Sequence, residues 1–349
     1  MKNKILNLVT VVCFICALIP INAKADEMTG DDDVNKPKVI IDSDFSSDVD
    51  DVLALSTAVA FDRNEDIELI GVALCCSSAR AAQACNALLD ESGYWDVPVA
   101  SAGENGVVLP NDYHVGMESY QHSTDYFYDT TNFYRMLLAS SQDKVNIITL
   151  GQLTNIDELM KSQPDEHSDL TGAELIAEKV NCIYIAGGKH NGGLENNIFY
   201  GGVDYGNNKY YNNTKVAEAA KNVADNCPCK QVWLEADLTG SFCVGECFDR
   251  LDKSDSDIIS RALKDYGTSY GSASFDPMTV WVAITDLTGK VNNVSMTAGK
   301  MNIKLSGTSY FTENENGTHY RFDKLVNDGW YRDEINKLLE SELVYRLYK

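Results

Sequence analysis

Apolar positions along the chain fall into two alternating patterns. Short, almost unbroken apolar runs at Lys38–Asp42, Ile67–Cys76, Val97–Ala102, Val145–Gly151, Cys182–Gly188 and Gln231–Ala236 predict strands. Between them, apolar side chains recur every three or four residues over Asp50–Phe61, Ala79–Ser92, Asn132–Ser140, Asn155–Ser162 and Lys215–Asn226, which predicts helices. Strands that are apolar throughout, rather than at every second position, are covered on both faces. The alternation therefore predicts an α/β fold with a mostly parallel central sheet flanked by helices. The last hundred residues break the rhythm. There Asp255–Tyr266 and Asp276–Asp286 predict helices, Met301–Ser306 and His319–Leu325 a small antiparallel pair, and Arg332 onward a final helix. No repeat, linker or composition break divides residues 38–349, so a single domain is expected.

The N-terminus follows a different pattern. Lys2 and Lys4 precede an apolar run from Ile5 to Ile21, and "NAKA" ends at Ala25 as an Ala-x-Ala cleavage site. This predicts a secretory signal peptide over residues 1–25 and an exported protein, secreted or periplasmic. Residues 26–37 are acidic and polar, as a mobile leader would be. No other apolar segment is long enough to span a bilayer, so no membrane association is expected after cleavage. The formal net charge of −23 repels nucleic acid and anionic lipid and suits a neutral or cationic small molecule. The cysteines beyond the leader, Cys75, Cys76, Cys85, Cys182, Cys227, Cys229, Cys243 and Cys247, are even in number. In an exported protein they raise the expectation of disulfides, with Cys227 and Cys229 pairing to Cys243 and Cys247 as the first candidate. Asn212, Asn293 and Asn316 stand in glycosylation sequons.

Chemistry concentrates in "VIIDSDFSSDVDDVLAL", Val39 to Leu55, where Asp42, Asp44, Asp48, Asp50 and Asp51 crowd the junction of the first strand and first helix. Like charges this close repel, and each is costly to bury alone. An EF-hand loop fits the first spacings but has Ser47 where the turn needs Gly and Leu53 where it needs Glu. A phosphotransferase Asp-x-Asp loop fits the strand placement but leaves the later aspartates unexplained. A third reading makes the cluster one wall of a hard-cation cage. Ca²⁺ takes carboxylate, carbonyl and substrate oxygens at about 2.3–2.6 Å. Asp50 and Asp51 also open a helix whose positive end favours anions. Solvated helix capping accounts for Asp48 but not for all five.

The stretch "DSDFSSDVDDVLAL" resembles the N-terminal signature of the nucleoside hydrolase family, the inosine–uridine-preferring nucleoside N-ribohydrolases. Further similar segments follow in family order: "IELIGVAL", "ALLDESGYWDVPVASAG", "ITLGQLTNI", "IYIAGG", "VWLEADLT" and "SFDPMTVWVAI". The resemblance covers essentially everything after the leader. It implies a Rossmann-like open sheet and Ca²⁺-dependent cleavage of the N-glycosidic bond of a ribonucleoside. It also implies carboxylate ligation of calcium by Asp44, Asp51 and Asp276, with the main-chain carbonyl of Leu150 as a further ligand. Asp44 would serve as the base for the attacking water. Asp50 would face the ribose hydroxyls, and the 2′,3′-diol would complete the metal shell. The family's usual homodimer or homotetramer is implied as well.

Departures from the family pattern bear on substrate and on activity. Phe275 stands where many purine-accepting members carry a proton-donating His. Ser77-Ser78 replaces a Gly-Asn pair whose Asn contacts ribose, and Ser46 replaces a Gly. The family's Glu-Phe-Asn, which holds the ribose 5′ side, aligns loosely with Gly206-Asn207-Asn208, retaining only Asn208. His190 and the tyrosines of "NNKYYNN" are candidate substitutes for the leaving-group acid. The alternative from another class is a calcium-dependent sugar- or nucleoside-binding protein without turnover.

Overall fold

The computed structural model describes residues 36–109, 113–120, 128–199, 213–249, 257–268, 270–290 and 293–349. Lys36–Lys349 clusters as one compact unit. The signal peptide and nearly all of the expected leader lie outside the described residues, as do Asn208 and the tyrosines of "NNKYYNN". The first half runs β1 (Lys38–Ser43), α1 (Asp50–Arg63), β2 (Glu68–Leu74), α2 (Ala79–Glu91), β3 (Val99–Ser101), β4 (Tyr128–Asp129), α3 (Thr130–Ser140) and β5 (Val145–Thr149). Then come α4 (Thr154–Lys161), α5 (Gly172–Lys179), β6 (Val180–Ala186), α6 (Asn213–Asn226), β7 (Lys230–Leu234), α7 (Ala236–Thr239), β8 (Cys243–Val244) and α8 (Glu246–Asp249). The chain finishes with α9 (Ile258–Tyr266), β9 (Ser272–Ala273), α10 (Phe275–Thr288), β10 (Val294–Ile303), β11 (Ser309–Glu313), β12 (His319–Lys324) and α11 (Asp328–Tyr348).

Ten strands form one sheet in the order β11-β10-β12-β7-β6-β5-β1-β2-β3-β4. Every neighbour pair from β12 to β4 is parallel. The inner strands β1, β5, β6 and β7 are covered on both faces, which explains their unbroken apolar runs, whereas the edge strand β4 is exposed. Along β1, Val39 and Ile41 enter one buried cluster while Ile40 enters the other, as the two-residue period of a strand requires. Helix α1 is buried from Asp50 through Phe61, so its apolar residues do not keep to a single stripe.

The order places the functional edge. From β1 the chain builds outward through β2, β3 and β4, then returns to put β5 on the other side of β1 and builds the opposite way. Loops leaving β1 and β5 therefore diverge, and the crevice between them at the carboxyl edge is the topological switch point where α/β sheets bind ligands.

The expected antiparallel pair forms between β10 and β12, but β12 also continues the parallel sheet beside β7, and β10 begins at Val294, well before Met301, and pairs on its other side with β11. Helix α5 was not expected, although Thr171 and Glu174 form a capping box that the sequence displays. The cysteine pairing also fails. Cys227 and Cys229 precede β7, whereas Cys243 and Cys247 follow it, beyond Ser241, which meets Lys324 at the carboxyl end of β12. Opposite ends of a strand lie too far apart for the approach of about 7 Å or less between Cα atoms that a disulfide needs. The eight cysteines from Cys75 to Cys247 are all free, with the Cys227 and Cys229 sulfurs 3.6 Å apart. Among the described residues no helix is long and apolar enough to cross a membrane.

Candidate active site at the carboxyl edge of the sheet

The five N-terminal aspartates divide between two faces. Asp42, still within β1, turns away from the crevice and accepts hydrogen bonds from Tyr134 Oη (2.7 Å) and Asn155 Nδ2 (3.0 Å). Burial pushes its carboxyl up to about 7, against the lowering effect of those two donors. The other four gather where β1 gives way to α1. Asp44, Asp48 and Asp50 line a cleft together with Leu150, Lys189, Glu195, Asn197, Phe275 and Asp276. Asp51 lies buried beside them, accepting from Ser43 Oγ at 2.5 Å.

Two helix starts aim at this point. Asp50 and Asp51 open α1, and Asp276 sits in the first turn of α10. The unpaired N–H groups and positive ends of both helices favour acidic side chains there. One of those amides is accounted for, since the Asp276 N–H donates to Asp50 Oδ2 at 3.2 Å. Two oxygens are not: Asp50 Oδ1 and Asp51 Oδ2 are buried without a hydrogen-bond partner among the described residues. Carboxylate oxygens of Asp48, Asp50 and Asp51 all lie within 4.8 Å of one another. Asp51 also lies against Asp44 and Asp276. Burial, then the neighbouring acids, pushes the carboxyls of Asp50, Asp51 and Asp276 well above the usual range. Asp44 is raised too, by burial first and Asp48 second.

An all-oxygen donor set with buried, unshared lone pairs fits a hard divalent cation, because such a cation offsets the mutual repulsion and uses the orphaned oxygens. Among the described residues none of Asp44, Asp50, Asp51 or Asp276 forms an ion pair with Lys, Arg or His, although Lys189 lines the same cleft. The residues Asp44, Asp51, Leu150 and Asp276, expected as ligands, do converge, and Asp48 joins them. That corrects the capping role anticipated for Asp48, because the N-cap of α1 is Val49, with no side-chain cap.

Other expectations sort differently. Leu150 presents its carbonyl at the cleft, accepting from Asn197 Nδ2 at 2.5 Å. Phe275 forms part of the wall, its ring fitted so closely over Gly240 that a Cβ there would stand 1.8 Å from Cε1. Ser78 caps α2 by accepting from the Ala81 N–H and contacts His114 Nε2, and is not among the described lining residues. His190 is also absent from that lining; its Nδ1 pairs with the buried Glu235 at 2.8 Å. Asn208 lies outside the described residues.

Sequence reasoning missed Glu195, Asn196 and Asn197, which line the cleft in the loop after β6. Burial raises the Glu195 carboxyl to about 7, although the Asn197 and Gly188 amides donate to it. The pattern Glu-x-Asn in the loop that follows β6 was available to find them. A nearby asparagine-rich run drew the alignment to Gly206-Asn207-Asn208 instead.

Comparison with known proteins agrees with this arrangement. Residues 39–324 match the family model of inosine-uridine preferring nucleoside hydrolases. The chain belongs to that family and is an enzyme of the nucleoside hydrolase class, which cleaves the N-glycosidic bond of nucleosides. Solved structures share its fold. A purine-preferring ribonucleoside hydrolase from Gardnerella vaginalis is 17% identical, with a TM-score of 0.64, covering 89% of this chain and 99% of its own. A plant nucleoside hydrolase is 18% identical, with a TM-score of 0.63, over 88% and 98%. An inosine-uridine preferring nucleoside hydrolase from Bacillus anthracis is 15% identical, with a TM-score of 0.62, over 87% and 99%. No match is found among curated proteins.

Proposed function

We propose that this chain is an exported, Ca²⁺-dependent hydrolase that splits ribonucleosides into free base and ribose. One observation carries the reading: buried carboxylates from distant parts of the chain converge on a cleft at the switch point, with oxygens that no group among the described residues satisfies. Asp44, Asp51, Asp276 and the Leu150 carbonyl would hold the cation, with Asp48 adjoining. When bound, a hard divalent cation acidifies water, orients it and chelates a vicinal diol. Asp44 accepts the proton of the attacking water as the bond to the base breaks, and the base leaves with the bonding pair and takes up a proton from solvent. Asp50, anchored by the Asp276 amide, faces the ribose hydroxyls. The carboxylates around the anomeric carbon stabilise the positive charge that develops there. Glu195, at the same cleft, takes the place assigned above to Asn208 on the 5′ side of the sugar.

Phe275 supplies an apolar wall and no proton, which disfavours substrates whose base must be protonated at that point. It is also the observation that favours a second reading, calcium-dependent ligand binding without turnover. Ribose release from a panel of ribonucleosides, with and without a calcium chelator, separates the two. Chelator-sensitive release supports hydrolysis. Calcium-dependent binding without release supports the second reading, and neither result in any condition defeats both. Export is consistent with salvage of external nucleosides, and processing after Ala25 is checked by the N-terminal sequence of the mature protein. Dimer or tetramer formation is part of the proposal and is checked by light scattering.

A further inference from the structure

Gln152 follows Gly151 in the loop leaving β5, and it is 1% exposed. Its amide nitrogen donates to Asp44 Oδ2 at 2.8 Å and to Asn197 Oδ1 at 3.3 Å. Its carbonyl oxygen accepts from the Cys75 thiol at 3.5 Å. Both donors and the acceptor of the amide are thus engaged, which fixes its orientation. Asn197, oriented in turn, directs its own amide nitrogen to the carbonyls of Leu150 (2.5 Å) and Ala186 (3.0 Å). One side chain therefore ties together the segments that follow β1, β2, β5 and β6. Gly151 makes this possible: a Cβ there would stand 2.6 Å from Asp44 Cβ and 2.7 Å from Cys75 Sγ.

We infer that Gln152 is a positioning residue for the reaction, clamping Asp44 by one oxygen while aiming the Leu150 carbonyl, through Asn197, at the same point. The inference rests on the functional reading above. The chemical type of the residue matters. A Lys or Arg in this place would donate equally well but would neutralise Asp44 and compete with a cation. A neutral amide holds the carboxylate and leaves its charge available. Its second donor also couples two ligands, so their spacing is set by a single rigid group rather than by two independent loops.

The test replaces Gln152 by Met, which keeps the length but removes both donors. Calcium affinity of Gln152→Met, measured by titration calorimetry, should fall about tenfold or more, the worth of a hydrogen bond to a charged group. Its kcat should fall in parallel while KM for the nucleoside changes by less than about threefold. A role confined to fold stability would lower the melting temperature and leave both quantities intact. A second pair of variants stands independently of how that protein folds. Cys75→Ser keeps a donor to Gln152 and should retain wild-type calcium affinity, whereas Cys75→Ala, which frees the amide to flip, should lose affinity several-fold. Wild-type affinity and kcat in Gln152→Met, or equality of the two Cys75 variants, overturns the inference alone. Absence of calcium binding by the wild-type chain overturns the functional reading beneath it.

Discussion

Helix α1 carries charge at both ends, the half-buried Arg63 at one and the buried Asp50 and Asp51 at the other, and the two ends are treated oppositely. At its C-terminal end Arg63 meets Glu342 of α11, with Nε to Oε1 at 2.6 Å and Nη2 to Oε2 at 3.0 Å. The same guanidinium donates to the Ser92 carbonyl and lies 3.5 Å from the centre of the Tyr345 ring. Glu342 is 0% exposed, yet both of its oxygens are matched by the protein. At the N-terminal end Asp50 and Asp51 are each 1% exposed, and each keeps an oxygen that no group among the described residues satisfies. Burial alone does not distinguish a structural acid from a functional one. Whether the chain provides the countercharge does. Among the described residues Glu342 has such a partner and docks a helix, whereas Asp50 and Asp51 do not, and their unshared oxygens fit a hard cation.

The sharpest way to break this comparison is to remove acids from the uncompensated end. Asp51→Asn or Asp276→Asn should lower turnover on the order of a thousandfold and abolish calcium binding by calorimetry. In the metal-free state either variant should melt no lower than wild type, because a repelling charge has been removed. Full activity in both would remove the site assignment. At the compensated end Arg63→Met strands Glu342 as a buried, unpaired acid. Denaturant unfolding should then show a loss of about 3 kcal/mol, with kcat of the folded protein unchanged.

Asp42 sharpens the contrast as an intermediate case, a buried acid held by two neutral donors. Tyr134→Phe removes one of them and should cost about 1–2 kcal/mol of stability without altering calcium affinity. The smallest effect concerns a buried base. His319 Nδ1 accepts from the Met301 N–H, and its ring stacks on Trp233. Burial holds its pKa down at about 4, below the ordinary 6.5. Between those values the unfolded chain binds the proton more readily than the folded one. His319 therefore makes stability decline as pH falls from 6.5 towards 4, and has no effect above 6.5. Melting curves of His319→Gln across that range should lose this part of the slope.

Much of this was legible from residue order. Unbroken apolar runs located the six core strands to within a few residues, because burial on both faces leaves no polar positions to blur them. The cluster of Asp44, Asp48, Asp50 and Asp51 was also legible, since like charges packed between a strand and a helix demand an explanation, whereas Leu150 and Asp276 came only from the family resemblance. What escaped depends on pairing at a distance. That β12 joins the parallel sheet follows from its register with β7, Tyr320 opposite Val232, which no local pattern encodes. Glu195 and Asn197 were obscured by the neighbouring asparagines. Gln152 reads locally as an unremarkable polar residue until Asp44, Cys75 and Asn197 are brought around it. The proposed link between the cysteines flanking β7 failed because sequence proximity ignored the strand lying between them.

Titration calorimetry of the wild-type protein with calcium tests the central claim most directly. The account predicts one ion per chain, with binding lost in Asp51→Asn and retained in Arg63→Met. No heat of binding at millimolar calcium, or binding that persists unchanged in Asp51→Asn, would contradict it.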